Sequence, residues 1–266
     1  MCGVVGIIGK KNASSLVLEG LKKLEYRGYD SAGIASFYQK SIQVAKSEGK
    51  LVNLINKVND LTKDDLYYDT SIALGHTRWA THGNINIKNA HPLTSENRVA
   101  VVHNGIIENY SSIKKTLESE GYVFTSQTDT EVLPHLFNKY LKKGHDFLQA
   151  GRLVLKDIRG AFAFVAICLD FPDQLFVSRN SSPLAIGLGE GSNFVGSDAQ
   201  SINHLTNKII YLEDGDYALI KINDIEIFDK NSNKVDRKII NIQSELGLIT
   251  KGGYKHFMEK EIYEQP

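Results

Sequence analysis

The order of helix-like and strand-like segments is the feature that most constrains the fold of this 266-residue chain. An apolar run broken by a glycine at residues 4–8 predicts a strand almost at the start. Helical periodicity then comes in neighbouring segments rather than after every strand. Beyond Gly160, short β-branched runs alternate with turn residues. This order does not fit a regular βαβ winding, and it predicts a layered α+β domain.

Apolar periodicity and capping residues bound the individual elements. Strands are predicted over 31–38, 41–46, 72–77 and 99–103. Helices are predicted after Ser14 and Ser15, over 51–61, after Ser111, from Asp129 and over 147–158, with the serines as N-caps. The sequence Asp214-Gly215-Asp216 predicts a hairpin turn.

Charge and composition exclude several classes of function. The chain has 31 Lys and Arg against 31 Asp and Glu, so no net charge draws it to nucleic acid or to an anionic membrane. No stretch approaches the roughly 18 to 20 apolar residues of a membrane span. Lys10 and Lys11 follow the first apolar run, whereas a signal peptide has its charges before it. Two cysteines cannot form a disulfide framework. We therefore expect a soluble, cytoplasmic protein without nucleic-acid or membrane partners.

Cys2 is the first candidate for chemistry. An arbitrary cysteine is most often a small buried apolar residue, and Cys168 lies in an apolar run that fits this role. Removal of Met1 would leave Cys2 with a free α-amine, which titrates near ~7.7–8.0, beside a thiol that titrates near ~8.5. One residue would then carry both a nucleophile and a base suited to neutral pH.

Three further segments carry polar residues after predicted strands or at helix starts. Asn104-Gly105 is common at a strand-to-turn junction, but an Asn amide and the next N–H can also converge on an oxyanion. Arg78 lies in the segment from Gly75 to Gly83 and could either form an ion pair or grip a carboxylate. Asp129 could cap a helix or bind an ammonium group. A carboxylate-binding Arg78 and an ammonium-binding Asp129 would together form a site for a free amino acid.

Metal and nucleotide sites are not expected. There is no CxxC or HExxH, and the histidines at 76, 82, 91 and 103 do not fall at zinc spacings. The glycines at 187, 189 and 191 do not form GxGxxG, so a hairpin is favoured there. We expect neither a metal nor a cofactor.

Together these segments resemble the N-terminal glutaminase domains of glutamine–fructose-6-phosphate aminotransferases, which are class II glutamine amidotransferases. Cys2 with Arg27-Gly-Tyr-Asp-Ser-Ala-Gly33 would fit any class II amidotransferase. Two further segments indicate the fructose-6-phosphate aminotransferases, which are the hexosamine-forming members. These segments are Arg78-Trp-Ala-Thr-His-Gly83 and Glu261-Ile-Tyr-Glu-Gln-Pro266. The other matching segments are Leu24–Arg27, Val102-His-Asn-Gly-Ile-Ile-Glu-Asn109, Thr128-Asp-Thr-Glu131 and Ser197-Asp198.

The resemblance implies an N-terminal-nucleophile hydrolase fold, a four-layer α/β/β/α sandwich with two antiparallel sheets. It also implies hydrolysis of L-glutamine to L-glutamate and ammonia through a thioester on Cys2, with its own α-amine as base. The implied roles of the remaining residues are as follows: Asn104 and Gly105 hold the oxyanion, Arg78 grips the substrate carboxylate with Thr81 and His82, Asp129 binds the ammonium, Trp79 belongs to a lid, and Arg27 supports the site.

The resemblance also sets an expected domain organisation. Residues 1–250 form the glutaminase domain. Residues 251–266 begin a linker to a C-terminal sugar-phosphate isomerase region, absent from this chain, which would use the ammonia to convert fructose 6-phosphate to glucosamine 6-phosphate. Two alternatives stay open: the glutaminase half of another class II amidotransferase, such as that of the purine pathway, and a non-catalytic glutamine-binding domain.

Overall fold

Two antiparallel sheets form the centre of the molecule. The computed structural model describes residues 2–9, 11–38, 40–62, 70–79 and 84–242. The strands are β1 (Gly3–Gly9), β2 (Ser31–Tyr38), β3 (Ser41–Glu48), β4 (Ile72–Arg78), β5 (Leu93–Ser95), β6 (Val99–Ile107), β7 (Gly160–Cys168), β8 (Phe171–Asn180), β9 (Ala185–Leu188), β10 (Ser192–Gly196), β11 (Lys208–Tyr211), β12 (Tyr217–Ile220), β13 (Ile225–Phe228) and β14 (Ile239–Asn241). The first sheet has the order β14-β11-β9-β10-β1-β4-β2-β3, and the second has the order β13-β12-β8-β7-β6-β5.

Helices cover the outer face of each sheet. They are α1 (Ala13–Leu24), α2 (Leu51–Thr62), α3 (Tyr110–Ser119), α4 (Val132–Lys142) and α5 (Phe147–Asp157). One apolar cluster joins the first sheet to α1 and α2, and another joins the second sheet to α3, α4 and α5. A third cluster lies between the two sheets. Three apolar interfaces separate four layers, so the predicted α/β/β/α sandwich is confirmed.

Strand alternation explains why several strands read as continuous apolar runs. In β4, Ile72 and Leu74 face the other sheet, whereas Ala73 faces the helices. In β6, Ala100 and Val102 face the other sheet, and Val101 contacts the helices. Because both faces are buried, neither strand needs a polar face.

The predicted caps of two helices are wrong by a few residues. Helix α1 begins at Ala13 after Asn12, whose backbone is left-handed with φ 61°. Ser14 is instead buried, and its hydroxyl hydrogen-bonds that of Thr70 at 2.8 Å. Helix α3 begins at Tyr110, before Ser111, and follows Asn109. Ser14 and Ser111 therefore lie inside the first turn of α1 and α3 and do not cap them.

The predicted hairpin at 214–216 is also wrong. The strands on either side, β11 and β12, belong to different sheets, so the turn carries the chain across the sandwich. Asp216 is 1% exposed and accepts two hydrogen bonds from Arg237, each of 2.8 Å. The hairpin favoured around 187–191 does form, because β9 pairs antiparallel with β10.

In the described part of the chain no helix is long and apolar enough to cross a membrane.

Candidate active site

Three strands bring their polar ends to one edge of the inter-sheet core. The inward residues of β4 continue from Ile72 and Leu74 to His76, and those of β6 continue from Ala100 and Val102 to Asn104. Val4 of β1 pairs with His76, so Cys2, two residues before Val4, reaches the same edge. Strand alternation alone therefore gathers a thiol, an imidazole and a carboxamide at the end of an apolar core.

The Cys2 thiol is partly buried and contacts the backbone of Trp79. The Trp79 N–H donates to Cys2 Sγ at 3.2 Å, and the thiol lies 3.5 Å from the Trp79 carbonyl oxygen. Burial raises the pKa of this thiol above its ordinary value, despite the Trp79 hydrogen bond, which lowers it. The thiol is therefore protonated at neutral pH, and a nucleophilic attack from it requires a base.

Asn104 joins the second sheet to the residue that carries the thiol. Its Nδ2 donates to the backbone carbonyl of Cys2 at 3.0 Å, and the side chain is otherwise enclosed. A carboxamide nitrogen has two hydrogens, so the second stays available to an acceptor in the cavity.

Gly105 follows Asn104 and has a backbone that only glycine adopts readily. Its φ is +123°, and a Cβ added there would lie 2.0 Å from the carbonyl oxygen of Ala161 in β7. The close approach of the neighbouring strand therefore requires glycine at this position.

Arg78 and Asp129 line one cavity with Cys2 and Asn104, and its volume is about 280 Å³. Arg78 is 4% exposed, and its Nη1 donates to the carbonyl of Asn84 at 3.4 Å. Burial lowers the pKa of this guanidinium, and nearby Cys2, Asp30 and Asp129 oppose that shift. Asp129 is buried at the start of a 3₁₀ turn, and its Oδ2 accepts the Ile107 N–H at 2.7 Å. A cationic and an anionic group therefore share the cavity of the thiol.

The other predicted site residues lie around this cavity or outside the described residues. Trp79 is 44% exposed, and its ring meets that of Tyr29 edge-on at 5.5 Å. Arg27 lines the cavity while pairing with Asp198, Nη2 to Oδ2 at 2.6 Å. Thr81 and His82 lie outside the described residues, so their predicted contacts stay predictions.

Sequence reasoning missed a group of three buried histidines, His76, His91 and His103, that line the cavity. The ring centroids of His76 and His91 are 4.3 Å apart, and those of His91 and His103 are 6.4 Å apart. Their irregular spacing along the chain gave no signal. The alternation Ile72, Leu74, His76 could have placed His76 on the inner face. Other cavity residues that the sequence did not single out are Ile106, Thr128, Thr130, Ser182 and Pro183.

These three histidines are neutral. Burial lowers the pKa of His76 to about 3, although its hydrogen bond to Asn104 opposes the shift. Burial also lowers the pKa of His91 and of His103, and for His91 the nearby His76, His103 and Arg78 side chains lower it further. A neutral imidazole has one N–H donor and one acceptor nitrogen, so each ring has a defined tautomer.

Comparisons with known proteins agree with this fold. Residues 76–204 match the family described as a glutamine amidotransferase domain. The solved structure of glutamine phosphoribosylpyrophosphate amidotransferase from B. subtilis with ADP and GMP has a TM-score of 0.73 and 26% identity, covering 88% of this chain and 50% of that one. A structure titled the allosteric regulatory enzyme of purine biosynthesis has a TM-score of 0.72 and 27% identity, covering 87% and 50%. The chain belongs to the glutamine amidotransferase family and has its N-terminal-nucleophile hydrolase fold.

Within this family the chain corresponds to the N-terminal half of the glutamine–fructose-6-phosphate aminotransferases. The relative from Fusobacterium nucleatum subsp. nucleatum is 50% identical over 268 residues, and the relative from Acinetobacter baylyi is 47% identical over 266 residues. Each covers 100% of this chain, which spans 43% and 42% of their respective lengths. The chain thus spans less than half the length of these relatives.

Proposed function

We propose that this chain hydrolyses L-glutamine to L-glutamate and ammonia through a thioester on Cys2. One observation carries the proposal: the Cys2 thiol, Arg78, Asn104 and Asp129 line the same cavity. Glutamine has an α-carboxylate, an α-ammonium and a side-chain amide. The cavity offers Arg78 to the first, Asp129 to the second and a nucleophile with a hydrogen-bond donor to the third.

The reaction begins with proton transfer from the Cys2 thiol to the α-amine of the same residue, directly or through a water. This requires that Met1 has been removed. The sulfur then bonds to the amide carbon, and the carbonyl π electrons move to oxygen, where Asn104 Nδ2–H and Gly105 N–H hold the negative charge. Because burial keeps the thiol protonated at rest, this local base is needed for attack.

Collapse of the tetrahedral intermediate re-forms the carbonyl and breaks the carbon–nitrogen bond. The ammonium of Cys2 returns its proton to the departing nitrogen, which leaves as ammonia. A water, deprotonated by the same amine, then attacks the thioester and releases glutamate and the thiol. In this scheme Arg78, Thr81 and His82 hold the substrate carboxylate, Trp79 covers the bound substrate, and Arg27 supports the cavity through Asp198.

We further propose that the ammonia serves a longer enzyme. The relatives at 45–50% identity carry the name glutamine–fructose-6-phosphate aminotransferase, and they are more than twice as long as this chain. In such an enzyme residues 1–250 would be the glutaminase domain, and 251–266, which lie outside the described residues, would lead to a sugar-phosphate isomerase region. That region would convert fructose 6-phosphate to glucosamine 6-phosphate.

Two free thiols, Cys2 and Cys168, suit a reducing compartment such as the cytoplasm.

Glutamate release from glutamine, measured together with the intact mass of the protein, tests the proposal. A chain that lacks Met1 is expected to release glutamate and ammonia in equal amounts. Cys2→Ala is expected to abolish this release, and the matched variant Cys168→Ala is expected to retain it, because Cys168 is fully buried away from the cavity. A processed N-terminus without any glutamate release would overturn the proposal in favour of a glutamine-binding domain.

The percent identity of the relatives bears on the purine-pathway alternative. The phosphoribosylpyrophosphate amidotransferase structure is 26% identical and the structure titled as an enzyme of purine biosynthesis is 27% identical, against 45–50% for the fructose-6-phosphate enzymes. These values favour the hexosamine reaction. The acceptor that the longer enzyme aminates would distinguish the two.

A further inference from the structure

The imidazole of His76 lies in the first sheet and forms a hydrogen bond with the side chain of Asn104 in the second sheet. It lies in β4, paired with Val4 on one side and Gly33 on the other, and it is 0% exposed. Its Nε2 lies 3.1 Å from Asn104 Oδ1 and 3.1 Å from the backbone carbonyl of His103. Both contacts cross to β6.

Two backbone carbonyls fix where the hydrogens lie in this chain of contacts. The His103 carbonyl can only accept, so Nε2 of His76 must carry the imidazole proton. The Cys2 carbonyl can also only accept, so the Asn104 atom 3.0 Å from it must be the NH₂ group. The other amide atom, Oδ1, then faces the His76 N–H. The order is therefore His76 Nε2–H to Asn104 Oδ1, and Asn104 Nδ2–H to the Cys2 carbonyl.

The protonation state of His76 agrees with this order. A charged ring would place a second N–H at Nδ1, which is buried and has no hydrogen-bond partner among the described residues. A neutral ring leaves an acceptor nitrogen there, which is less costly to leave unpaired than a cationic N–H. The single N–H of the neutral ring is shared by Asn104 Oδ1 and the His103 carbonyl.

We propose that His76 is a positioning residue of the glutaminase reaction, which orients the Asn104 carboxamide so that its second Nδ2–H faces the oxyanion. The inference rests on the proposed function. Without the His76 N–H, rotation of the Asn104 side chain about its terminal torsion could place Oδ1 towards the cavity. An acceptor there would repel the developing negative charge, so the loss would fall on the barrier rather than on binding of the substrate.

The ordinary alternative is a histidine that merely fills the core. His135 provides the matched comparison: it is 4% exposed, and its Nδ1 hydrogen-bonds Ser95 Oγ at 2.8 Å, outside the cavity. A role through packing alone would make leucine substitutions of the two histidines equivalent for catalysis. A positioning role makes them different.

A double-mutant cycle in the full 266-residue chain tests the proposal, with kcat for glutamine and the inhibition constant of the product L-glutamate as readouts. H76L is expected to lower kcat about 10- to 100-fold, while glutamate inhibition changes less than about threefold. H76Q, which keeps a donor near the Nε2 position, is expected to recover part of the loss. Because His76 acts through Asn104, H76L is expected to cost little in an N104A background. H135L is expected to keep kcat near the wild-type value.

Three results would overturn the proposal. The first is a kcat for H76L within about twofold of wild type while N104A is strongly impaired. That result would remove the positioning role of His76 but leave the proposed function intact. The second is a pair of losses that multiply in H76L/N104A, which would mean that the two residues act independently. The third is a processed wild-type chain that releases no glutamate, which would remove the proposed function as well. If H76L does not fold, H76N replaces it, since its shorter side chain stays polar but cannot span the gap to Asn104.

Discussion

The side chain of Asn104 in the second sheet donates to the backbone carbonyl of Cys2 in the first, over 3.0 Å. This hydrogen bond holds the proposed nucleophile and the proposed oxyanion donor at a fixed separation, although 101 residues lie between them in the sequence. Because the two sheets pack through a continuous apolar core, a shift of one sheet against the other would disturb both groups together.

Replacement of Asn104 by alanine is expected to lower kcat on the order of 10²–10³-fold, since one oxyanion donor contributes about 2.7–4 kcal/mol to the barrier. Steady-state glutamate release would measure the change. Asn193→Ala is the matched control, because Asn193 is buried and donates to the Lys221 carbonyl at 2.7 Å without lining the cavity. Equal turnover in the two variants would remove Asn104 from the mechanism.

Much of the site could be predicted from the sequence because its residues lie in short, distinctive segments. Cys2, Arg78, Asn104 and Asp129 were all singled out, and all line one cavity. The layered α+β class followed from the paired helices. Assignment of strands to one sheet or the other did not follow, because antiparallel neighbours and strands that cross the sandwich have similar turns, as residues 214–216 illustrate.

The histidine group could not be predicted for a different reason. His91 is in the segment before β5, and it meets His76 of β4 and His103 of β6 only after the two sheets have packed. Local periodicity carries no information about such contacts between sheets. Helix starts were missed because Ser14 hydrogen-bonds Thr70, 56 residues away, rather than capping its own helix.

Alkylation is expected to distinguish the two cysteines. Burial raises the pKa of Cys168 to about 11, and this side chain is 0% exposed in the second sheet. Cys2 is partly accessible at the cavity. Iodoacetamide should therefore modify Cys2 first and stop glutamine hydrolysis, as peptide mapping over a time course would reveal. Faster labelling of Cys168 in the native protein would contradict this assignment.

The ion pair between Arg237 and Asp216 is expected to support the fold without affecting catalysis. Both carboxylate oxygens of the buried Asp216 accept from Arg237, so Arg237→Ala would leave a buried carboxylate without its cationic partner, although Oδ2 keeps the Glu213 N–H at 2.7 Å. We expect the free energy of unfolding to fall by about 3–5 kcal/mol, with kcat unchanged. Lys234→Ala breaks the exposed pair with Glu226 and should change stability little. Denaturant titration of both variants would test the difference.

Stability is expected to fall as the pH drops below the ordinary histidine pKa of 6.5. In the folded state His76 has a pKa of about 3, and burial also depresses the pKa values of His91 and His103. Below pH 6.5 the unfolded chain binds protons that the folded chain does not, so each group destabilises the fold by up to about 1.4 kcal/mol per pH unit. For His76 this continues down to pH 3.

The variant His91→Leu provides the check on that pH dependence. Between pH 7.5 and pH 5, its free energy of unfolding should depend less steeply on pH than that of the wild type, by about one proton. Denaturant titrations at a series of pH values would give both slopes. Identical slopes would mean that His91 takes up a proton without unfolding.

Gly105→Ala is expected to impair both folding and turnover, and a second glycine separates the two causes. Gly105 and Gly144 both have positive φ, +123° and +88°, so alanine is strained at either position. A Cβ at Gly144 meets nothing within 4 Å, whereas at Gly105 it would lie 2.0 Å from the Ala161 carbonyl oxygen. Gly144→Ala should therefore cost only about 1–2 kcal/mol of stability and leave kcat unchanged. Gly105→Ala must displace β6 from β7 and with it Asn104, so its kcat should fall together with its stability. If Gly105→Ala matched Gly144→Ala in thermal stability and in glutamate release, the close approach of β7 would not be what requires glycine beside Asn104.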